Sequence, residues 1–442
     1  MNNYSLMTRQ LTDFIERSPS CYHTVKNISE MLKDSGMIPL SEEAEWSLEE
    51  GKGYFVVRAD SSVIAFKIPY NCSDCNSLNY QITAAHSDSP SLKIKENPEI
   101  MKAGHYVELN VEKYGGMLCR TWFDRPLSIA GRVTAEIGEK IHTILIDFGR
   151  DLVMLPSLAI HMDRSANDSG AIKVQYDMLP LFGDEMSAGK FMELLAEAAD
   201  IEPKQILGHD LFLYNRTPSS VWGANNEYFS STKLDDLMCA YSSVKAFIDS
   251  SCKGSINVCC IFDNEEIGSS TKQGADSTFL QDTLERISDS LGLSHQQHLM
   301  MIRRGFLLSA DNAHAVHPNH IDRADPVNQP YMNGGVVIKY NAAQKYTTDA
   351  VSGAIFKKIC EKANVPVQIF VNNSDIPGGS TLGNISTTHV SMNSVDIGCA
   401  QLAMHSAYET AGTKDTAYMY KAIQVFFSTH ITKNDDGSYS LA

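Results

Sequence analysis

The sequence has no long hydrophobic run. None of its 442 residues lies in a stretch that approaches the about 18 consecutive apolar residues a helix needs to cross a bilayer. The N-terminal segment reads MNNYSLMTRQLTDFIERS and alternates polar and apolar residues at helical spacing, without the basic start and apolar core of a secretory signal. We therefore expect a cytoplasmic protein with no membrane partner.

Positive charge is also scarce. The chain carries 37 Lys and Arg against 53 Asp and Glu, which gives a formal net charge of −16 at pH 7. An excess of this size repels both nucleic acid and anionic membrane surfaces. We therefore expect no nucleic-acid partner.

Paired cysteine motifs are missing as well. Ten cysteines are scattered along the chain, and the single CxxC, at Cys72 and Cys75, has no second pair at the distance that a structural zinc site requires. We interpret these two as loop thiols and most of the others as reduced, buried small hydrophobic residues. The adjacent Cys259 and Cys260 should point to opposite faces of a strand.

The length and the order of periodic segments indicate a split α/β protein. A chain of this size exceeds what one hydrophobic core usually supports, so we expect two domains or one domain with a large insertion. Helical and strand-like segments alternate in residues 1–90 and 229–442, which predicts a mixed, largely parallel sheet with helices on both faces. Residues 91–228 contain short strand-like runs with Gly and Pro punctuation, which predicts an inserted β-rich domain.

Candidate metal ligands follow the predicted strands of the α/β part. His86 closes QITAAH, Glu265 and Glu266 follow VCCIFDN, and Asp311 follows GFLLSA. Ligands of open α/β sheets bind beyond the carboxyl ends of the strands, so these segments can converge on one crevice. A two-metal hydrolytic site needs about two nitrogen ligands and three or more carboxylates. The residues that supply such a set are His86, Asp235, Glu266, Asp311 and His405.

Each of these residues has an ordinary role when it is considered alone. A histidine after a strand is usually a hydrogen-bonded loop residue, Asp235 could cap its helix, and adjacent glutamates are usually solvated. The convergence of five such residues is what favours a metal site. If Glu265 and Glu266 lie in an extended segment, their side chains point to opposite sides, so Glu266 can bind metal while Glu265 faces the reacting water as general base.

The chain resembles the M18 family of zinc aminopeptidases, the aspartyl aminopeptidase family, at six motifs in family order: TAAHSDSP, KLDDL, DNEEIGS, SADNAHAVHPN, PGGSTLGN and QLAMHS. The resemblance covers essentially the whole sequence. It implies a di-zinc exopeptidase in which residues 1–90 and 229–442 form the catalytic domain and residues 91–228 form a dimerisation domain. It further implies that dimers assemble into a tetrahedral homododecamer.

The resemblance also implies roles for individual residues. Glu265 resembles the general base, and Asp88 resembles a carboxylate that orients the first metal-binding histidine. Many members read Arg-Leu-Asp-Asn around the bridging aspartate, whereas this chain reads KLDD, so Asp236 adds negative charge near the site. The implied ligands are His86 and Asp311 for one zinc, Glu266 and His405 for the other, and Asp235 as the bridge.

Five more residues resemble substrate-binding positions of the family. His161, in the insertion, resembles a histidine that reaches a neighbouring subunit's active site; its alternative role is that of a packed or loop residue. His314 and His317 either line the pocket or fix their own loop by hydrogen bonds. Lys339 resembles a position near the substrate side chain, with Tyr346 close behind, and its alternative is a solvated strand end. The loop PGGSTLGN lacks the lysine of a phosphate-binding loop, and in the family it lies at the substrate end of the pocket.

The leading hypothesis is an aminopeptidase that removes one N-terminal residue from short peptides, using two Zn²⁺ per subunit, with Mn²⁺ or Co²⁺ as alternative ions. The resemblance favours acidic N-terminal residues, Asp or Glu, which a chain of net charge −16 would repel without a local cation. One alternative is a di-zinc amidohydrolase acting on acylated amino acids. Another is a catalytically silent assembly protein that the metals only stabilise. Glu265 weighs against the silent protein, because a scaffold has no need for a glutamate that binds no metal.

Overall fold

The computed structural model of the protein describes residues 3–70, 78–168 and 170–442. The CxxC motif at Cys72 and Cys75, interpreted above as a pair of loop thiols, lies outside the described residues.

The two N-terminal helices form where the sequence shows an apolar stripe. Leu11 and Phe14 of the first helix are buried, as are Val25 and Ile28 of the second. The α-helices of the described residues are α1 Asn3–Glu16, α2 Cys21–Asp34, α3 Val174–Asp177, α4 Lys190–Ala198, α5 Leu234–Asp249, α6 Phe279–Ser290, α7 His295–Arg304, α8 Ala350–Ala363, α9 Leu382–His389 and α10 Asp415–Phe427.

The strands group into three larger sheets and one short hairpin. In chain order they are β1 Ile38–Leu40, β2 Gly53–Arg58, β3 Ser62–Lys67, β4 Asn79–His86, β5 Ser91–Lys102, β6 Tyr106–Tyr114, β7 Leu127–Ile137, β8 Lys140–Asp147, β9 Leu181–Asp184, β10 Ile206–Asn215, β11 Ser220–Trp222, β12 Tyr228–Ser231, β13 Ser255–Phe262, β14 Phe306–Ala310, β15 Ala313–His314, β16 Val336–Tyr340, β17 Val367–Val371, β18 Asn393–Gly398, β19 Ala400–Leu402, β20 Glu409–Gly412, β21 Ile431–Lys433 and β22 Tyr439–Leu441.

The main sheet has nine strands in the order β1-β2-β3-β13-β4-β14-β18-β16-β17. Its centre is parallel: β13 pairs with β4, β4 with β14, and β14 with β18, all in parallel register. Helices α1, α2, α5, α8 and α10 pack on one face of this sheet, and α6, α7 and α9 pack on the other. The predicted α/β fold, with a largely parallel sheet and helices on both faces, is confirmed.

Strand β13 shows how the sheet is buried on both faces. All eight of its residues are buried, as expected for a central strand of a parallel sheet. Cys259 packs into the hydrophobic core on one face, and Cys260 packs into the core on the other. The prediction that these two thiols face opposite sides is confirmed.

The segment after β4 builds a second sheet with six strands in the order β8-β7-β10-β5-β6-β9. This sheet has its own hydrophobic core, which includes Trp122 and Phe191. Strand β11 lies within the range that the sequence assigns to the insertion, but it pairs with β12, and β12 pairs with β20. These strands belong to a small five-stranded sheet beside the main one, in the order β11-β12-β20-β19-β15.

None of the helices in the described ranges combines the length and the apolar character needed to span a bilayer.

Candidate metal centre

The central parallel strands bring the predicted ligands to one edge of the main sheet. His86 is the last residue of β4, and Asp311 directly follows β14. Asp235 lies at the start of α5, where its backbone dihedral angles are not helical. Because parallel strands end at the same edge, side chains at their carboxyl ends meet there.

All five predicted ligands fall into groups whose candidate ligand atoms lie within 4.8 Å of one another. The groups overlap, because Asp235 belongs to two of them and so do His86 and Glu266. The three groups are His86, Asp235, Asp236 and Asp311; His86, Glu265 and Glu266; and Asp235, Glu266 and His405.

The carboxylate of Asp235 lies between two imidazoles. Its Oδ1 is 3.6 Å from Nε2 of His86, and its Oδ2 is 3.4 Å from Nε2 of His405. Nε2 of His405 is also 3.4 Å from Oε2 of Glu266. One carboxylate with each oxygen turned to a different histidine is the arrangement expected of a ligand shared by two ions.

The chemistry of the buried oxygens fits a bound cation. Oδ1 of Asp235, Oδ1 of Asp236 and Oε1 of Glu266 are buried and accept no hydrogen bond from the described residues. Burial, followed by repulsion from Asp235, raises the pKa of Glu266 well above its usual value. Buried carboxylates that lack donors are costly unless a cation compensates them, and imidazole and carboxylate are ligands that zinc uses.

The carboxylates of the cluster raise the pKa values of its histidines. Burial alone would lower the pKa of His86, but the carboxylates of Asp235 and Asp88, at 3.6 Å and 3.3 Å from its ring nitrogens, raise it well above its usual value. The same competition raises the pKa of His405 to about 10, with Asp235 as the main partner. Because imidazole binds a metal in its neutral form, binding of a metal requires both histidines to be deprotonated.

The conformation predicted for the two adjacent glutamates is wrong. Glu265 to Ile267 forms a 3₁₀ turn rather than an extended segment, and it follows Asn264 in the left-handed conformation at φ 62°. Both side chains belong to the group with His86, but Glu266 also joins Asp235 and His405, while Glu265 lines the cavity above the cluster. Burial raises the pKa of Glu265 to about 8; His86 opposes this shift, and Asp311 adds to it.

Asp88 contacts the ring of the first histidine and the backbone of both glutamates. Its Oδ1 lies 3.3 Å from Nδ1 of His86, and the backbone N–H groups of Glu265 and Glu266 donate to its two oxygens at 3.2 Å each. The hydroxyl of Tyr114, at the end of β6, donates to Oδ2 of Asp88 at 2.6 Å. Tyr114 was not anticipated from the sequence.

Asp236, the departure noted in the KLDD motif, is also held within the cluster. It is completely buried, and its Oδ2 accepts a hydrogen bond from the backbone N–H of His86 at 3.2 Å. The extra carboxylate therefore supports the backbone that carries a predicted ligand.

His405 is fixed by two residues that the sequence analysis missed. Its Nδ1 is 2.7 Å from the carbonyl oxygen of Gly116, and its backbone N–H donates to Oε1 of Glu409 at 2.7 Å. The other oxygen of Glu409 accepts from the backbone N–H of Asp235 at 3.0 Å. A hydrogen bond to one ring nitrogen leaves Nε2 of His405 free to bind metal.

The loop that carries Gly116 approaches the centre closely. Gly115 has φ +73°, and a Cβ there would lie 3.0 Å from Cβ of Glu266. The paired glycines follow Tyr114 in KYGG, which the sequence analysis interpreted only as punctuation after a strand. Their position shows that residues of the inserted segment form part of the surroundings of the metal cluster.

A cavity of about 280 Å³ opens above the cluster and includes three of the predicted substrate-binding residues, His314, Lys339 and Tyr346. Lys339 is 2% exposed, so the alternative of a solvated strand end is wrong. Its Nζ lies 3.5 Å from Oδ2 of Asp311 and donates to the carbonyl oxygen of Asn312 at 3.2 Å. The cavity wall also contains Gly379, Ser380 and Thr381 of the PGGSTLGN loop.

The remaining two predicted substrate residues lie elsewhere. His317 lines an adjoining cavity of about 440 Å³, which shares His314 with the first. His161 is exposed, in a turn of the inserted segment, and is not among the described residues that line the cavity above the cluster. The structure therefore does not bring His161 to the metal cluster of its own chain.

A buried cluster of imidazoles and carboxylates at the carboxyl edge of a parallel sheet, beneath an open cavity, defines a metal-dependent α/β enzyme. The model of the Aminopeptidase I zinc metalloprotease (M18) family matches residues 14–427. The chain belongs to this family of zinc aminopeptidases, as its motifs indicated.

Individual relatives agree with this assignment over most of their length. A probable M18 family aminopeptidase 2 of Clostridium acetobutylicum is 42% identical over 97% of this chain and 100% of its own. A chain of the cryo-EM structure of the Ape4 and Nbr1 complex superposes with a TM-score of 0.93 at 35% identity, over 96% of this chain and 86% of its own. An S. cerevisiae mApe1 dodecamer shares the fold, with a TM-score of 0.83 at 24% identity over 96% and 97% of the two chains.

Proposed function

We propose that the protein removes a single N-terminal residue from short peptides at a centre of two zinc ions, with Glu265 as the general base. The observation that carries the proposal is the carboxylate of Asp235, which directs one oxygen toward His86 and the other toward His405. Asp235 would be shared by both ions, His86 and Asp311 would hold one of them, and Glu266 and His405 would hold the other. Zinc, when bound, acts as a Lewis acid on the scissile carbonyl and lowers the pKa of bound water.

Glu265 is the residue proposed to move the proton. It lines the cavity above the cluster, and its backbone is held by Asp88. A carboxylate in this position accepts a proton from the attacking water and passes it to the amine of the leaving peptide. Its pKa of about 8 reflects burial among other carboxylates, and the positive charge of bound ions would lower it toward the range of a working base.

Substrate hydrolysis tests the proposal most directly. Zinc-loaded protein is assayed with Asp, Glu, Lys and Leu aminoacyl substrates and with their N-acetylated counterparts, before and after removal of metal by a chelator. We expect turnover of the free-amine substrates only, its loss with the chelator, and its recovery with added Zn²⁺, Mn²⁺ or Co²⁺. Preference for the acetylated series would identify an amidohydrolase instead. Full zinc occupancy without turnover of any substrate would indicate a silent assembly protein.

We further propose that Lys339 selects acidic N-terminal residues. An ammonium group has three N–H donors, and the contacts with Asp311 and the carbonyl of Asn312 use two of them. The third can donate to a substrate carboxylate within the same cavity, which also holds His314. A charge-assisted hydrogen bond in a buried site is stronger than one at the surface, so it could outweigh the repulsion from the net charge.

The substitution Lys339→Met tests this selectivity. All substrates should lose some activity, because Asp311 loses its ammonium partner. The kcat/KM for Asp and Glu substrates should fall about tenfold further than that for a Leu substrate, as expected for one lost charge-assisted hydrogen bond. Lys345→Met, which removes an exposed lysine bonded to the carbonyl of Gly378, is the matched control and should leave the ratio unchanged. Equal losses on all substrates would assign Lys339 to the metal centre alone.

We propose that residues 91–228 mediate dimerisation and that dimers assemble into a homododecamer. The dodecamer of S. cerevisiae mApe1, which shares the fold, supports this assembly. His161 would then complete the active site of a neighbouring subunit, in keeping with its exposed position in its own chain.

Complementation between subunits tests the role of His161. We expect His161→Ala to lose most activity and Glu265→Gln to be inactive. Co-assembly of the two should restore part of the activity, because a His161→Ala subunit keeps its own Glu265 and receives an intact His161 from its neighbour. The control is a mixture of His161→Ala with an inactive protein of the same size that does not co-assemble with it. Full activity of His161→Ala, or mixed assemblies that remain inactive, would contradict the role.

A further inference from the structure

One short stretch of the inserted segment contacts both ends of the metal cluster. Residues 114–118, here called the link segment, begin at the end of β6 and include the two glycines of KYGG. Tyr114 contacts the support of His86, and Gly116 contacts the ring of His405. The link segment therefore joins the inserted sheet to residues that are proposed to hold different ions.

The hydroxyl of Tyr114 lies between two segments that carry predicted ligands. It donates to Oδ2 of Asp88 at 2.6 Å and accepts from Nδ2 of Asn264 at 2.9 Å. Nδ1 of His86 is 3.1 Å from the backbone carbonyl oxygen of Asp88 and 3.3 Å from its Oδ1. Asn264 directly precedes the 3₁₀ turn of the two adjacent glutamates. One hydroxyl thus contacts both the residue that orients His86 and the turn that carries a second predicted ligand.

His405 has a backbone conformation that its surroundings must maintain. Its φ is 66°, in the left-handed region, which is unfavourable for a residue with a Cβ. Its carbonyl oxygen accepts from the backbone N–H of Leu118 at 2.9 Å, and its ring Nδ1 is 2.7 Å from the carbonyl oxygen of Gly116. The link segment therefore helps to fix both the backbone and the ring of His405.

The inserted sheet also contacts the main domain away from the cluster. Nη1 of Arg132, on β7, donates to the carbonyl oxygen of Ala59 at 2.9 Å. Cζ of the same guanidinium lies 4.4 Å from the ring centre of Tyr22, on α2. Because these contacts do not involve the link segment, loss of one hydroxyl from that segment should leave the two sheets packed together.

We propose that Tyr114 is a positioning residue for the metal centre, and that metal binding and the contacts of the link segment stabilise each other. The hydroxyl acts on His86 through Asp88. If the contacts favour metal binding, metal binding must favour the contacts by the same free energy. The proposal rests on the proposed two-ion centre, and its tests measure metal binding and amide exchange instead of peptidase activity.

Tyr114→Phe removes the hydroxyl and keeps the ring. We expect the affinity for at least one zinc ion, measured by competition with a chromophoric chelator, to fall about tenfold, the lower end of the range for groups that orient a metal ligand. The visible absorption of the Co²⁺-loaded protein, which depends on coordination geometry, should also change. Tyr106→Phe removes an exposed hydroxyl from the other end of β6 and should leave both measurements unchanged.

Gly115→Ala tests the link segment without removing a hydrogen-bonding group. Gly115 has φ +73°, and a Cβ there would lie 3.0 Å from Cβ of Glu266. Displacement of Glu266 should weaken zinc binding at least about tenfold. Gly104→Ala, just before β6, is the matched control: its φ is +67°, and apart from its chain neighbours no atom of the described residues would lie within 4 Å of the new Cβ. It carries similar backbone strain and should keep the affinity of the wild type.

Hydrogen exchange tests the effect of the metal on the contacts. The backbone N–H of Leu118 donates to the carbonyl oxygen of His405, and those of Glu265 and Glu266 donate to Asp88. Removal of zinc from the wild type by a chelator should speed exchange at these three amides several-fold. The amides within β7 and β10 of the inserted sheet should exchange as before.

Three results would overturn this proposal and leave the proposed function in place. They are wild-type affinity for both ions in Tyr114→Phe, equal losses of zinc in Gly115→Ala and Gly104→Ala, and exchange at the three amides that does not respond to zinc. Faster exchange throughout β7 and β10 in Tyr114→Phe would assign the hydroxyl to domain packing, which also contradicts the positioning role. Wild-type protein that binds no zinc would overturn the two-ion centre and this proposal together.

Discussion

Replacement of Glu265 by glutamine is expected to lower kcat by about 10²- to 10⁴-fold, the range typical for loss of a general base. The amide has nearly the shape of the carboxylate but cannot accept the proton of the attacking water. The backbone N–H of Glu265 would still donate to Asp88, so the turn that carries Glu266 should persist. Elemental analysis should therefore find the zinc content unchanged, while steady-state kinetics on the preferred aminoacyl substrate shows the loss.

Two comparisons make this result specific. Glu112→Gln removes an exposed carboxylate from β6 and should leave both kcat and zinc content unchanged. Glu266→Gln should instead lose zinc, because Glu266 belongs to two of the three ligand groups. If Glu265→Gln retained most of its activity, or if it lost zinc as Glu266→Gln is expected to, the assignment of Glu265 as the base and Glu266 as a ligand would be wrong.

The positions of the predicted ligands could be obtained from sequence because strand ends are local signals. His86 and Asp311 each follow a short apolar run, and the alternation of helices and strands indicates that these runs are parallel neighbours. Parallel neighbours end at one edge, so the convergence of the two side chains follows from the fold class alone. The alternation of side chains along a strand, which is also a local rule, placed Cys259 and Cys260 on opposite faces of β13.

The supports of those ligands could not be obtained in this way. Gly116 contacts His405 across a sequence separation of 289 residues, and Tyr114 reaches Asp88 from the inserted segment. Such contacts depend on how the two sheets pack against each other. The periodicity of hydrophobic residues within either segment does not predict this packing. Glu409 lies four residues after His405, and its position near a predicted ligand was the only feature of the sequence that pointed to it.

The prediction of an extended backbone at the two glutamates was wrong for a different reason. Alternation of side chains applies to extended backbone, and the sequence DNEEIG contains an asparagine and a glycine that both adopt left-handed conformations, at φ 62° and 97°. These two residues close a 3₁₀ turn around Glu265 and Glu266.

The burial of Lys339 was also difficult to predict from the sequence. A lysine at a strand end is usually solvated, but the carboxylate of Asp311 provides a buried partner.

Replacement of Asp235 by asparagine is expected to have the largest effect on metal content, because it removes charge from a ligand that both ions are proposed to share. The amide keeps the size of the side chain and the backbone hydrogen bond to Glu409, but it offers one weak, neutral acceptor where the carboxylate offers two anionic oxygens. Changes to groups that only orient a ligand already cost about 10- to 100-fold in metal affinity, so loss of the shared ligand should cost more.

The test is the number of zinc ions that each variant retains after dialysis against a weak chelator, measured by elemental analysis with activity assayed in parallel. Asp235→Asn should retain almost no zinc, because Asp235 faces both His86 and His405. His405→Gln, which changes a ligand found in only one of the three groups, should lose the ion on its own side and keep the ion bound near His86 and Asp311. Circular dichroism controls for loss of the fold. Retention of both ions by Asp235→Asn would contradict the bridge, since a carboxylate that both ions share cannot lose its charge and one acceptor oxygen without weakening metal binding.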